Sequence, residues 1–579
     1  MGAQDRDAQG HPSRRTFLRS AGLGAGAALL APTAALSSEG PASPDEEVDI
    51  VVVGSSGAGF SAALAARLSG RSAAIFEKGS FAGGTTLKSG GVYWVPNNPA
   101  MQAEGMVDRK EDALRYMARL SYPDLYSPER PRLGLRPNAH ALLEAFYDGG
   151  AGVLTRLSEA GILDFVFWPG ADGRAFPDYH AELAENRSPR GRSLVTRRPD
   201  GSAGVGADLI RALEAGARRY EIPVHLRSSA RRLITNSAGE VVGVELDTPE
   251  GPRRVRARRG VVFATGGFPH NPGLVENFLR GVAYGSCEVP TNQGDFVFLA
   301  QSVGARLANM KNAAWKQVAL EHALAFPSLP NGVAAIPGDS SIMVNRHGQR
   351  IVNEKLNYNQ RAQVHFDWDA RENQYGNQLL FMIYDARTAA LFAGIEPIPL
   401  TEGTHPEVIS AETLADLGPA IDARLRKLDE EVLQFRLSVD FVEKLEDTVQ
   451  RFNGYAVQGV DPEFRRGETM HEEAFHGPRR AGNDAPNSQM FPISDTGPYY
   501  AVILAAGTFG TRGGPEIDRH GRVLHAEGHP IAGLYGAGNC VASPAGGGYW
   551  GGGAQIGPGL VFGGIAAEHA VNASERSWR

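Results

Sequence analysis

The stretch from Val48 to Glu77 constrains this chain more than any other. It reads V-D-I-V-V-V-G-S-S-G-A-G-F-S-A-A-L-A-A-R-L-S-G-R-S-A-A-I-F-E. A β-branched run ends at Gly54, a helix of small residues follows from about Ala58 to Leu68, and a second apolar run closes on Glu77. Strand, glycine turn, helix and strand in that order predict a unit that holds a dinucleotide. Glycines at the turn let backbone approach a pyrophosphate, and the helix N-terminus then faces its negative charge. Glu77, at the end of the second strand, is placed to accept a hydrogen bond from a ribose hydroxyl. The glycine spacing is imperfect. Gly54 and Gly59 stand where G-x-G-x-x-G wants them, Ser56 takes the middle place, and Gly57 is expected to share its work.

A chain of 579 residues is long enough for two domains. Its net charge of −7 leaves no basic excess for phosphate backbones, which argues against a nucleic-acid partner. Two cysteines, Cys287 and Cys540, exclude a disulfide framework and a cysteine-rich metal site, and no metal is expected. His471 and His476 are five apart, a poor spacing for one helical face, and read as surface histidines.

Residues 1–45 read as a leader and linker outside the fold. Ser13-Arg14-Arg15-Thr16-Phe17-Leu18-Arg19 precedes a mild apolar run from Ala21 to Ala31, and small residues follow around Ala35. This resembles a twin-arginine export signal, with the cut expected near Ala35. The reading makes the export machinery a partner and the periplasm or cell envelope the destination.

After Glu77 and Lys78 comes a loop with two glycine pairs, Gly83-Gly84-Thr85 and Ser89-Gly90-Gly91. Its N–H and O–H donors can lie against a pyrophosphate or the polar edge of an isoalloxazine. With this loop the sequence resembles the flavoprotein family that contains fumarate reductase flavoprotein subunits and 3-ketosteroid dehydrogenases. The resemblance implies FAD. Members that bind it covalently carry a histidine in this loop, and Thr and Lys stand here instead, so the FAD is expected to be non-covalent. An apolar strand running into Ala264-Thr265-Gly266-Gly267 brings backbone near the cofactor a second time.

The expected fold class is α/β: a Rossmann-like FAD-binding domain with an inserted α+β substrate (capping) domain. Residues 46–295 form its first part, 296–496 the inserted domain, and 497–579 the return, which carries Asn539 and Gly557 as further cofactor contacts. Within the inserted domain, Ala411 to Leu425 reads as two short helices separated at Gly418-Pro419.

The densest glycine cluster runs from Gly546 to Gly559, with Tyr549 and Trp550 in its middle and an apolar helix, Leu560 to Ala570, behind it. A helix N-terminus presents free N–H groups and partial positive charge, suited to the N1–C2=O edge of a reduced flavin. Here the resemblance narrows to the 3-ketosteroid Δ1-dehydrogenases and spans about residues 48 to 570. F-P-D-Y matches at Tyr179, N-E-x-x-x-Y at Tyr358, and the tyrosine with a glycine four residues on at Tyr549 and Gly553.

The resemblance implies 1,2-desaturation of a 3-ketosteroid or a similar small hydrophobic cyclic ketone. Tyr549 O–H and Gly553 N–H would hold the carbonyl oxygen as an oxyanion hole does. Tyr358 would take the C2 proton as phenolate, helped by Tyr179 because an ordinary phenol has a pKa of about 10. The C1 hydride would go to flavin N5. Ser56, Trp550 (where proline is usual) and Cys540 (where threonine is usual) depart from the family pattern. Two alternatives stand beside this reading. An exported fumarate-reductase-like enoate reductase would need histidine and arginine groups to grip a dicarboxylate, and the family's histidine context is not found. A non-catalytic flavin-binding protein would have no use for the three tyrosines. The sequence names no electron acceptor.

Overall fold

A computed structural model describes residues 43–400 and 405–579. The export signal expected within residues 1–45 lies outside the described residues. Ser43–Trp578 forms one compact unit built on two main sheets.

The β-branched run becomes the strand Glu46–Val53, whose last six residues are buried. It lies at the centre of an eight-stranded sheet, in parallel register with Ala73–Phe76 on one side and Gly251–Phe263 on the other. Burial on both faces explains why Ile50–Val53, Ala73–Phe76 and the end of the third strand, Val261–Phe263, are continuously apolar rather than alternating. Pro530–Gly536 adds in parallel beyond Gly251–Phe263. The strand Gly251–Phe263 does two jobs. Its first half pairs antiparallel with Val241–Thr248, and its second half joins the parallel core.

Two helices cover this sheet closely. Gly57–Leu68 is rich in buried Ala and Gly, with Phe60 and Leu64 among them, and Ile556–Val571 packs across it. A Cβ on Gly563 would lie 2.3 Å from the Ala58 carbonyl oxygen, so the two backbones are in direct contact and only glycine fits. The small residues read as a helix pattern thus set the distance between two helices.

The second sheet is five-stranded and antiparallel. Its path runs Ala313–Ala319, Tyr499–Thr511, Leu379–Asp385, Ser341–Val344, with Ile409–Ala411 beside Tyr499–Thr511. The return to the nucleotide-binding part was expected at residue 497. Tyr499–Thr511 instead forms an inner strand of the second sheet, and Pro530–Gly536 is the strand that rejoins the first. Its apolar alternation and glycine-rich end look the same from either sheet, so the pattern could not tell them apart.

Leu414–Lys427 is one helix, not two. Proline removes a single backbone bond there, and its fixed φ is itself helical. The Thr413 cap, which accepts from Asp416 N, and buried Leu417, Ile421 and Leu425 hold the helix together.

Candidate active site

A long cavity begins at the carboxyl ends of the parallel strands and ends among aromatic side chains of the second region. Its first half is the cradle that the glycine turn predicted. Gly54 has φ +99°, and a Cβ there would sit 2.5 Å from the Ala264 oxygen, so this turn requires glycine. Ser56 lines the cavity and donates from Oγ to that same carbonyl at 2.9 Å, so the departure from the glycine pattern ties the two backbone approaches together. Glu77 lines the wall, with Oε2 accepting from Ser55 N and Oγ at 2.9 and 2.6 Å and Oε1 from Gly79 N at 2.7 Å.

The glycine-pair loop follows the cavity: Gly84, Thr85, Ser89, Gly90 and Gly91 all line it. Gly91 is the constrained member, since a Cβ would fall 2.4 Å from the Val205 backbone. Thr85 Oγ1 accepts from Val289 N at 3.1 Å, and Lys78 Nζ pairs with Asp295 at 2.9 Å, clamping the loop to the 289–295 segment. Ala264, Gly266 and Asn539 also line the cavity. Four of the expected cofactor residues do not. Gly59 closes against the Gly54 carbonyl, Gly83 packs on Ile210, Gly557 lies against the Trp94 backbone, and Gly57 N donates to Thr86 Oγ1 at 3.2 Å. They shape the cradle from behind.

Sequence reasoning passed over Glu288. This fully buried carboxylate accepts from Gly267 N (3.2 Å), Asn292 Nδ2 (2.9 Å) and Asn539 Nδ2 (2.8 Å), joining three cradle segments. Burial pushes it up to about 7, against those three donors. A glycine loop rich in donors, an acid at the end of the second strand and a channel leading to the tyrosines together fit FAD.

The far end gathers the tyrosines. Tyr358 opens the short helix Tyr358–Arg361, capped by Asn357, whose Oδ1 accepts from Gln360 N at 3.1 Å. Tyr179 comes from the loop after Phe165–Phe167, and Tyr549 from the glycine cluster. The Tyr179 hydroxyl donates to the Tyr358 hydroxyl at 2.9 Å. The Tyr179 and Tyr549 rings stack at 5.5 Å, and Tyr358 meets Tyr549 edge-on at 5.2 Å. All three line the cavity, as does Gly553. Gly553 has φ +92°; its carbonyl accepts from Trp94 N and Gly557 N, while its N–H meets no acceptor among the described residues. Burial raises the pKa of each of the three hydroxyls.

Two further groups serve this cluster. Arg512 is fully buried with its guanidinium carbon 5.0 Å over the Tyr549 ring, and its Nε and Nη2 have no partner among the described residues. Burial pushes Arg512 down to about 10, while Tyr549 and Tyr358 pull the other way. His471, expected on the surface, is buried with its ring 4.7 Å from that of Tyr179. Burial lowers it to about 3, so it is a neutral packing ring. The short helix Met470–His476 turns it inward, which spacing alone could not reveal.

Ionic props hold the tyrosines from behind. Arg192 bridges Asp108 and Asp178 at 2.6 Å each, and Trp94 Nε1 donates to Asp178 at 2.7 Å, fixing the residue before Tyr179. Truncating the buried Arg192 would leave two carboxylates unpaired, a loss of about 3–5 kcal/mol. Glu354, four residues before Tyr358, is gripped by Arg350 at 2.8 and 2.9 Å and by Arg466 at 3.3 Å. Trp550 is also structural. Its carbonyl accepts from Tyr179 N at 3.3 Å and from the Tyr116 hydroxyl, and its Nε1 donates to Ser121 Oγ at 2.9 Å.

Comparison with known proteins gives the family and the fold. The family described as FAD binding domain matches residues 49–556. The chain is 31% identical over 558 residues to 4-oxocyclohexanecarboxylate 2-dehydrogenase of Sinomonas cyclohexanicum, covering 90% of this chain and 92% of that one. It is 29% identical to 3-oxosteroid 1-dehydrogenase of Mycobacterium tuberculosis, covering 91% and 99%. The crystal structure of 3-ketosteroid Δ1-dehydrogenase from Sterolibacterium denitrificans, in complex with 1,4-androstadiene-3,17-dione, has the same fold. The TM-score is 0.75 at 24% identity, over 91% of this chain and 99% of that one.

Proposed function

The chain belongs to the FAD-binding-domain family, and from that premise we propose that it desaturates a cyclic ketone, a 3-ketosteroid or a smaller ring, next to the carbonyl. It is an FAD-dependent oxidoreductase. The observation that carries the finer reading is the hydroxyl pair of Tyr179 and Tyr358 at 2.9 Å, with Tyr549 packed on both. The names of the two relatives, dehydrogenases of an oxocyclohexane and of an oxosteroid, lean the same way.

The carbonyl oxygen is held by Tyr549 O–H and Gly553 N–H, both on residues that line the cavity, and these donors stabilise enolate charge as it develops. Tyr358 removes the proton from the carbon next to the carbonyl, and Tyr179 donates to the Tyr358 oxygen, sharing the negative charge that forms there. Arg512 behind Tyr549 adds a positive field on the same side. The aromatic walls, Phe475 and Phe509 among them, exclude water from the reacting carbons. When bound in the cradle, FAD supplies the hydride acceptor. The twin-arginine pair at Arg14 and Arg15 leads us to propose export to the periplasm or cell envelope.

The test is product analysis. Purified holoprotein, supplied with an artificial electron acceptor, is incubated with 4-androstene-3,17-dione and with 4-substituted cyclohexanones. A ring-desaturated ketone supports the reading. Turnover of fumarate or another enoate by the reduced enzyme, with no desaturated ketone, overturns it.

A further inference from the structure

The tyrosine end of the cavity has a cationic wall that ketone chemistry alone does not call for. Lys316, on the strand Ala313–Ala319, is completely buried. Its ammonium finds no oxygen partner among the described residues. It lies 3.7 Å over the face of the Phe509 ring, beside the Cys287 thiol. Phe509 in turn packs edge-on against Tyr358 at 4.7 Å, so the ammonium sits one ring behind the proposed base. Space for it is built in. Gly332 has φ +62°, and a Cβ there would crowd Lys316 Cε and Nζ at 3.0 and 3.2 Å.

A second cation faces the same wall. Lys88 lines the cavity, with Nζ donating to the Leu329 carbonyl at 2.8 Å and reaching Ser328 Oγ at 3.4 Å. Cys287, also on the cavity wall, is within electrostatic reach of both lysines and donates to Asn331 O at 3.0 Å. Neither lysine has an ion pair among the described residues. Glu396 is in electrostatic range of Lys316 without pairing to it, and Arg361 adds like charge. Burial draws the Lys316 pKa down, as it does for any ammonium left without a counter-charge. Lys316 does not itself line the cavity but stands directly behind Phe509, which does, and a buried ammonium left without a counter-charge there is costly unless a ligand in the cavity brings a negative charge near it.

We propose that the wall formed by Lys88 and Cys287, with Lys316 behind it under Phe509, is an anion subsite, and that the ring ketone taken by this enzyme carries a carboxylate. This rests on the ring-ketone reading above. The ketone oxygen meets Tyr549 and Gly553, and the carboxylate is drawn toward the lysines on the Phe509 side. The single-ring distance between Lys316 and Tyr358 favours a compact substrate with its acid near the ring.

The experiment compares 4-oxocyclohexanecarboxylate with its methyl ester as anaerobic reductants of the holoprotein. Alongside, cyclohexanecarboxylate, which has no ketone, is titrated against the oxidised flavin spectrum. The acid should exceed the ester in kcat/KM by about tenfold or more, the effect of a hydrogen bond to a charged group. That ratio should fall toward one in Lys316→Met, with a parallel loss of cyclohexanecarboxylate affinity. Lys88→Met, at the half-buried rim, should lower it in part. The wild-type ratio decides the matter even if Lys316→Met does not fold. Acid and ester used equally well by the wild type, or a preference that survives both substitutions, overturns the subsite. If no ketone reduces the flavin, the ring-ketone reading fails by itself. Lysine-dependent binding of cyclohexanecarboxylate would then still uphold the anion subsite, and its absence would remove it.

Discussion

The Tyr179 hydroxyl donates a 2.9 Å hydrogen bond to the Tyr358 hydroxyl across 179 residues of sequence. One comes from a loop propped by Arg192 and the Trp550 carbonyl, the other from a helix start four residues beyond the gripped Glu354. Rigid supports on both sides hold a pair of hydroxyls at hydrogen-bond distance in a water-poor chamber.

Removing the base should leave binding intact and stop the chemistry. Tyr358→Phe is expected to slow flavin reduction by the ketone about 10²–10⁴-fold, the usual contribution of a positioned general base. Tyr179→Phe should cost about tenfold, the effect of a lost hydrogen bond to a charged group. Both variants should keep a normal flavin spectrum. Stopped-flow reduction rates measure this, and a Tyr358→Phe rate within twofold of wild type would dismiss the assignment.

The pH profile follows from burial. Burial raises the pKa of Tyr179 and of Tyr358 above the ordinary phenol value. The reacting form is the phenolate, so at neutral pH it is a minor species. Activity is lost as pH falls and climbs as pH rises. The rate of flavin reduction should therefore increase about tenfold per pH unit through the neutral range, with no plateau below about pH 10. A profile that levels off near pH 6 or 7 would point to a carboxylate or histidine base.

Arg512 should matter although it is not placed to touch substrate. Its charge, 5.0 Å from the Tyr549 ring, favours negative charge at the carbonyl end. Arg512→Met is expected to lower the rate about tenfold and to move the alkaline rise to higher pH, while Arg512→Lys restores part of both. The pH profile separates this from a packing defect, which would lower the rate at every pH alike.

The inward path of the chemistry was partly legible in the sequence. Gly54, Glu77, the Gly83–Gly91 loop and the three tyrosines could be found because each needs a particular residue type in a local pattern. Arg512, Glu288, His471 and Lys316 could not. Their importance comes from what the fold packs around them, and an isolated arginine just past a strand or a lysine on one carries no local mark. The strand Tyr499–Thr511 was misassigned for a related reason. A buried apolar strand does not say which of two sheets it joins, because its two inner partners, Ala313–Ala319 and Leu379–Asp385, lie more than a hundred residues away. Conversely, Ser56 and Trp550, which looked like departures from a motif, each make a specific bond that holds the site.

Acid should weaken the ionic support beneath Tyr358. Burial alone would raise Glu354, but Arg350 and Arg466 outweigh it and hold the carboxyl at about 2. A carboxyl depressed in the folded state stabilises above its unfolded pKa of about 4.3 and loses that contribution as pH falls toward 2. Glu354→Gln should remove this dependence and lower the melting temperature at pH 7. Thermal unfolding of both proteins between pH 7 and pH 3 gives the comparison, and parallel curves would contradict it.

The cradle should fail through a single methyl group. A Cβ at position 59 would lie 2.0 Å from the Gly54 carbonyl oxygen. Gly59→Ala must push the turn apart, so it is expected to yield protein that purifies colourless or loses flavin on gel filtration. Full flavin content in that variant would mean the turn does not shape the cofactor site.

The most direct measurement is anaerobic. Ketone, 4-androstene-3,17-dione or 4-oxocyclohexanecarboxylate, is mixed with the yellow holoprotein and with its Tyr358→Phe variant, and the visible flavin band is followed in time. The account predicts rapid bleaching of the wild type by at least one of the two, and bleaching at least about 10²-fold slower in the variant. No bleaching by either ketone, together with rapid reoxidation of chemically reduced enzyme by an enoate, would contradict it.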